Sequence, residues 1–433
     1  MNVNAKTLLS ACMCAAALTC AGGFGVANVK VRQGTGSRQV RVTYDMGDVP
    51  AIVTIDVKTN GTSIGAANIT HLSGDVNRLV TKTGTRCAAY WQADKSWPGH
   101  LITDGSVTVE VVAWVTNRPP DYCTVNLKTG DVNYYTAAEQ LPGGGVTNAI
   151  YKSDYLAMRY ISAAGVPWDM GSACEPGRQN DRETSQRITL TNNYYIGVYE
   201  FTQAQWKKFF ALPDGRYDKG DLRPVSYIKF GFLRESADGS PNADCDWPAA
   251  PSPASLMGQL RNLTGGQLAF DLPSEAQWEF ACRAGTTEGH WNDGSEILSA
   301  KGEDANLNKL ARYASTRGEG GFPGGSSREA TTTVVGAFRP NLWGLYDMHG
   351  NVREMCLDWY KPAYRYPDDT GAVQTDKSYI PLGLSAPTHS LRGGQAHTAN
   401  CNLLRSAARS YIYLPSSGGV NKQDGFRVVA TLP

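Results

Sequence analysis

The feature that most restricts how this chain can fold is a change in hydrophobic period near residue 140. From about 28 to 138, apolar and polar residues alternate in short runs, "RQVRVTYDM", "AIVTIDVKTNG", "SVTVEVVAWV" and "CTVNLKTG", with turn residues between them. A period of two turns one face of each strand into a core and the other toward water, and its repetition predicts a β-sandwich. An immunoglobulin-like module is the first choice for residues 28–138. Cys87 and Cys123 are candidates to staple it, provided their geometry allows a bond. "LPGGGVTN" at 141–148 is rich in turn residues, and 139–153 reads as a linker.

Past the linker, short strands give way to capped helices. "RITLTNNYYIGVYEF" predicts two strands around an Asn-Asn turn. In "FTQAQWKKFF", Thr202 can cap a helix, Gln205 can reach back to it, and Phe201 and Trp206 stand at the hydrophobic-staple positions. "SPASLMGQLRNLTGG" offers Ser252 as cap, Pro253 in the first turn, Leu256, Leu260 and Leu263 on one face, and a Gly-Gly stop. A third helix begins in "LPSEAQWEFACRAG", where Ser274 and Gln277 form another capping box. After it only loops and short strands are expected. The 46 glycines, 22 prolines and 21 tyrosines agree with a fold of many turns pinned by aromatic rings. Trp206, Phe209, Trp278 and Cys282 read as core residues. At 433 residues the chain is too long for one ordinary core, and no solenoid repeat is visible.

Charge narrows the partners. Lys and Arg number 41 against 40 acids, a net charge of +1, so no broad field draws nucleic acid and none is expected as a partner. Residues 1–27 read as an export signal: Lys6 precedes "LLSACMCAAALTCAGG", an apolar run ending in small residues. The run is short for a membrane span, and no later segment is apolar enough to cross a bilayer. The mature chain is therefore expected to be secreted, periplasmic or at the cell surface. "LSAC", ending at Cys12, resembles a lipoprotein box, a reading less favoured than simple cleavage. Seven cysteines remain after the signal: Cys87, Cys123, Cys174, Cys245, Cys282, Cys356 and Cys401. An odd number in an oxidising compartment leaves at least one thiol unpaired within the chain. No C-x-x-C spacing suggests zinc, and no phosphate loop or nucleophile elbow is present. Asp368 and Asp369 in "YPDDTG" read as a solvated turn rather than a glycosidase pair.

Six motifs in order, "YYIGVYEFTQAQW", "FDLPSEAQWEFACRAGT", "NLWGLYDMHGNVREM", "RGG", "RSAARS" and "DGFRVV", resemble the formylglycine-generating enzyme family, or sulfatase-modifying factor domains, over about residues 154–433. The resemblance implies a variant of the C-type lectin fold with bound calcium, so the whole chain is expected to be α+β, an immunoglobulin-like sandwich followed by that domain. In "LYDMHGNVREM", Asp347 and Glu354 place two carboxylates around a Gly350-Asn351 bend, a donor set suited to a hard cation. By resemblance, Asp347 and Glu354 would supply side-chain oxygens to calcium, and Gly350 and Val352 main-chain carbonyls. Arg353 stands where the family usually has Trp. A second, weaker calcium site would use Asn306, Leu307 and the Phe322 carbonyl, with Gly320 where a ligand carboxylate is expected.

The family's oxidase activity converts a sulfatase cysteine to formylglycine using oxygen and copper held between two thiolates, soft ligands that select Cu(I). Counting back from "AARS", Cys401 matches the second active cysteine, the residue to which a catalytic role would fall. Ala396 stands at the position of the first. The segment between "GG" and "AARS" is also shorter than in the enzymes and begins Gln395-Ala396-His397. No copper site of the known kind is therefore expected, and a lone His397 near Cys401 does not make one. In the family the cysteine of the third capped helix pairs at the position of Ser406 here, so Cys282 lacks that partner; Cys401 or Cys356 could substitute. Two classes of function remain. One is non-catalytic recognition of a protein or cell-surface ligand, with Gln395 and His397 opening a segment rich in the small, polar and aromatic side chains of adaptable surfaces. The other is an oxidase acting on sulfatases. The segment at about 395–424 also resembles, more weakly, the variable regions of retroelement-diversified binding proteins. Iron-dependent sulfoxide synthase relatives take histidines from an extra helical domain, whereas the six histidines here are scattered and the N-terminal region is β-rich.

Overall fold

The computed structural model describes residues 25–433 except 35–36, 84–85, 101–105, 174, 176, 180, 214–217, 288–289, 301, 315–330, 363–369, 374–385 and 413–422. Most of the expected export segment 1–27 lies outside the described residues, as do Cys174, Gly320, Phe322, Asp368 and Asp369. The chain divides into two compact units, one of residues up to 125 together with 131–148, the other of 126–130 and 149–433.

In the first unit the alternating runs become strands. β1 (Val26–Gln33), β2 (Gln39–Met46), β3 (Ala51–Thr59), β4 (Leu72–Gly74), β5 (Arg78–Val80), β6 (Arg86–Gln92) and β7 (Val107–Trp114) form two sheets, in the orders β1-β2-β6-β4 and β5-β3-β7. Both are antiparallel, and β3 pairs with β7 from Ile52 opposite Trp114 to Thr59 opposite Val107. The inward residues of the two sheets, among them Val42, Tyr44, Val53, Val57, Ala89, Trp91, Val109 and Val111, share one buried cluster. β8 (Tyr122–Asn126) and β9 (Val132–Tyr135) pair as a hairpin. The expected staple does not form: Cys87 on β6 and Cys123 on β8 are both buried and are not joined by a disulfide. Both pack as small hydrophobes, as a core cysteine does.

The second unit holds the three helices expected from the sequence. β10 (Tyr155–Ile161), β13 (Tyr194–Gly197), β19 (Val429–Thr431) and β14 (Ala269–Asp271) lie side by side in that order, while β11 (Pro167–Met170) pairs with β12 (Gln186–Thr189). A further sheet runs β17 (Ser410–Tyr411), β16 (His389–Arg392), β15 (Arg353–Trp359), β18 (Asp424–Gly425), and its β15–β18 pair is parallel. The two strands expected around Asn192-Asn193 exist as β12 and β13 but form no hairpin. Each finds its partners elsewhere, β12 on β11 and β13 on β10 and β19.

Two helices begin as their caps require. α1 (Gln203–Trp206) and α3 (Glu275–Arg283) both start on complete capping boxes, Thr202 with Gln205 and Ser274 with Gln277. The Phe201 and Trp206 staple closes through a third ring, since both pack on Phe426. α2 (Leu256–Leu263) corrects the expected cap: Ser255, not Ser252, accepts the Gly258 N–H. The reason is a turn before the helix, in which the Ser252 carbonyl receives the Ser255 N–H and hydroxyl. That carbonyl also lies only 2.0 Å from where a Cβ on Gly258 would stand, so residue 258 must lack a side chain for the turn to fit.

Candidate functional site

The site is built around the turn joining Tyr346 to β15. Gly350 has φ of 78°, and a Cβ there would lie 2.2 Å from the Arg312 carbonyl, so only glycine makes the bend. Asn351, also at positive φ, accepts from the Thr333 N–H through Oδ1 and donates from Nδ2 to Glu200 Oε2 at 2.6 Å. Glu200 Oε1 receives the Val352 N–H at 3.0 Å. A glutamate from the "YYIGVYEF" motif therefore clamps the loop from across the fold.

Three fully buried carboxylates gather at this bend, and they differ in what satisfies them. Glu354 on β15 accepts from Arg427 through both oxygens at 2.7 Å, and its Oε2 also accepts from Trp278 Nε1 at 2.7 Å. Asp347 receives the Gly336 N–H on Oδ2 at 2.6 Å, whereas its buried Oδ1 has no partner. Burial, reinforced by Glu354, pushes the Asp347 carboxyl up to about 6, against the pull of the Gly336 N–H, Arg427 and Lys152. Burial and then the charges of Asp347 and Glu354 drive Glu200 well above the ordinary range. Among the described residues no three His, Cys, Asp or Glu side chains are placed as a ready-made ligand group.

Cys401 opens a short 3₁₀ turn, Cys401–Leu404, capped by Asn400. Its N–H donates to the Ala300 carbonyl, and its thiol faces the Gly302 carbonyl at 3.6 Å. The residue is wholly buried, in a cluster with Trp291, Leu307, Tyr313 and Leu404. Burial, and secondarily Asp304, pushes the thiol up to about 11, so it is protonated at neutral pH. Ala396 is fully buried and donates its N–H to the Asn351 carbonyl. His397 lies at the same segment, its N–H on Gln423 Oε1, and Gln395 N–H donates to Thr398. The Oε1 of Gln395 is buried with no partner.

The weaker calcium position looks different from its expected form. The Asn306 and Leu307 N–H groups are both spent on Asp304 Oδ1, and the Leu307 carbonyl already accepts from Leu310 and Ala311. Phe322, the third expected donor, lies outside the described residues.

Besides Glu200, two sets of residues escaped the sequence reading. His349 joins the two halves of the site: Nδ1–H donates to the Leu404 carbonyl at 2.7 Å, and Nε2 accepts from the Asn292 N–H at 3.1 Å. That arrangement fixes one neutral tautomer, and burial lowers the imidazole to about 4. The arginines of "RSAARS" are structural: Arg405 pairs with Glu175 and Glu183, and Arg409 pairs with Glu275 on α3. Arg392 on β16 adds a contact to Glu279 of the same helix. Cys282, also on α3, donates to the Ser406 hydroxyl at 3.5 Å. Cys282, Cys356 and Cys401 are all free thiols, so neither substitute pairing forms. Cys356 and Cys401 instead face backbone carbonyls, those of Glu354 and Gly302.

Residues 157–432 match the model of the sulfatase-modifying factor enzyme 1-like domain, and the chain belongs to that family. This bears out the resemblance read from the six motifs. The chain is similar to the formylglycine-generating enzyme of Thermomonospora curvata, 32% identical over 303 residues that span 64% of this chain and 94% of that one. It is also similar to the formylglycine-generating enzyme of Mus musculus, 26% identical over 294 residues, 62% of this chain and 73% of that one. Among solved structures, PvdO from Pseudomonas aeruginosa covers 64% of this chain at 21% identity, with a TM-score of 0.46 over 95% of its own length. No helix among the described residues is long and apolar enough to cross a membrane.

Proposed function

We propose that this member of the family is an exported binding protein without oxidase activity, an immunoglobulin-like module joined to a calcium-stabilised domain that recognises a protein or cell-surface ligand. The observation that carries the reading is the state of Cys401. Copper needs two thiolates, and here one position is a buried alanine, while the other is a buried, protonated thiol facing a carbonyl. The residues do not fit copper, because Ala396 supplies no second soft ligand.

What supports calcium at the bend is the one open carboxylate oxygen, Asp347 Oδ1; both Glu354 oxygens are held by Arg427 and Trp278 and would have to be shared with the ion. A buried carboxylate oxygen without a partner, beside two other buried acids, is relieved by a divalent ion with hard-oxygen preference. Asp347 and Glu354 would give side-chain oxygens, and Gly350 and Val352 main-chain carbonyls. The ion would lock the loop that bears the Ala396 and Asn351 contact, holding the Gln395–His397 segment in place for recognition. Leu307 and Asn306 support a second ion less well, because their polar groups are already engaged.

Incubation of the purified protein with Cu(I), oxygen and a cysteine-containing sulfatase peptide tests the reading. Peptide aldehyde is expected to stay at the level of a protein-free control. Turnover above that level, which the similarity to formylglycine-generating enzymes would favour, establishes the oxidase reading instead.

A further inference from the structure

We propose that the outer face of the β3–β7 pair in the first unit is a saccharide-binding groove. The face is concave, about 340 Å³, and is lined by Thr54, Asp56, Ser63, Glu110, Trp114 and Gln140, among others. That volume falls at the low end of small-ligand sites. The reading is independent of the second unit's function.

The groove's chemistry selects the ligand. Asp56 on β3 stands directly opposite Glu110 on β7. Like charges in a facing cross-strand pair repel, and here Lys58 offsets that repulsion through its ion pair with Glu110. Each carboxylate is half satisfied: the Ser63 hydroxyl donates to Asp56 Oδ1 at 2.7 Å, and Lys58 Nζ donates to Glu110 Oε2 at 2.5 Å. The second oxygen of each has no partner among the described residues, which leaves two adjacent acceptors for hydroxyl groups. Farther along the same face of β7, Trp114 donates its indole N–H to Thr54 Oγ1 at 2.8 Å, which fixes the ring in the wall of the same groove. Gln140 gives its carbonyl oxygen to the Thr136 N–H and hydroxyl, and its amide NH₂ donates to no described group.

A fixed aromatic wall, two acceptors and an amide donor match a pyranose, which offers a C–H face and vicinal hydroxyls. Phosphorylated ligands would meet two carboxylates with Lys58 already engaged. An apolar ligand would strand the polar groups it covers. A divalent cation would have to displace the Lys58 ammonium from Glu110.

Saturation-transfer NMR on the full chain, with N,N′-diacetylchitobiose, maltose and methyl α-mannoside as probes, tests the proposal. At least one sugar is expected to receive saturation on its ring protons. Trp114→Ala and the near-isosteric double variant D56N/E110Q are each expected to weaken that sugar's binding at least tenfold, with an unchanged circular dichroism spectrum for the double variant. Transfer to none of the three sugars overturns the proposal, as does binding that persists in D56N/E110Q. A response of the Trp114 signals to calcium chloride but to no sugar would reassign the groove to a cation.

Discussion

The charge of Asp347 depends on what surrounds the site. Burial raises its carboxyl from an ordinary 3.8 to about 6, and Glu200 moves in the same direction. A raised folded-state value means that the native state holds the proton more tightly than the unfolded chain. The resulting stability is fully present below about pH 4 and is lost as pH rises through 6. For Asp347 alone the loss is on the order of 3 kcal/mol. In chelator the melting temperature is therefore expected to fall between pH 4 and 6.5, and calcium at pH 7 is expected to restore it by binding the ionised form. Asp347→Asn should make the chelated pH profile shallower, with Glu200 still contributing in the same direction, and abolish the calcium response in differential scanning calorimetry. A chelated profile that rises over this window would refute the assignment. Asp347 was named from the family motif around it, whereas its hydrogen-bond partner, Gly336, lies 11 positions upstream. Glu200 was not legible, because its bonds to Asn351 and Val352 cross about 150 residues of chain and leave no local pattern.

At the scale of elements, α3 joins the two kinds of information. Its start was legible because a capping box is written in four consecutive residues. What holds it was not, because Glu275 and Glu279 meet Arg392 and Arg409 from the far C-terminal segment. The missed cap of α2 and the hairpin that β12 and β13 do not form have the same origin: a preceding turn and distant strand partners overrode a reasonable local signal. Burial opposes the charges of Glu275 and Glu279, but the arginines outweigh it and depress both carboxyls. Truncating Arg392→Ala leaves buried acids short of a partner and is expected to cost about 3–5 kcal/mol in denaturant unfolding. The loss should shrink when pH falls below the ordinary glutamate range, where the stranded acids can take up protons.

The same helix carries a second test. The Cys282 thiol and Ser406 hydroxyl already touch, 124 positions apart in sequence. Ser406→Cys should therefore oxidise to a disulfide between Cys282 and the introduced thiol, visible by non-reducing peptide mapping, and raise stability by about 2–4 kcal/mol. Free thiols at both positions after oxidation would show that the backbone there cannot meet disulfide geometry.

At the scale of the whole molecule, the ordered motifs supplied the family frame and the alternating period supplied the N-terminal strands, both being signals spread along the chain. The same frame could place Cys401 and Ala396 opposite the expected thiol pair but could not say what the sulfur faces. That depends on Gly302, 99 positions away, and on the apolar cluster closing over it. If the missing thiol were the sole obstacle to copper chemistry, Ala396→Cys would restore it. The packing argues otherwise: residue 396 is fully buried against Asn351, and the Cys401 thiol is held protonated toward a carbonyl. Ala396→Cys is accordingly expected to bind Cu(I) no more tightly than the parent in competition with a chromogenic chelator, and to form no peptide aldehyde. Stoichiometric copper binding that disappears on adding Cys401→Ser would show that the two positions can still converge, and that a single substitution separates this protein from an oxidase.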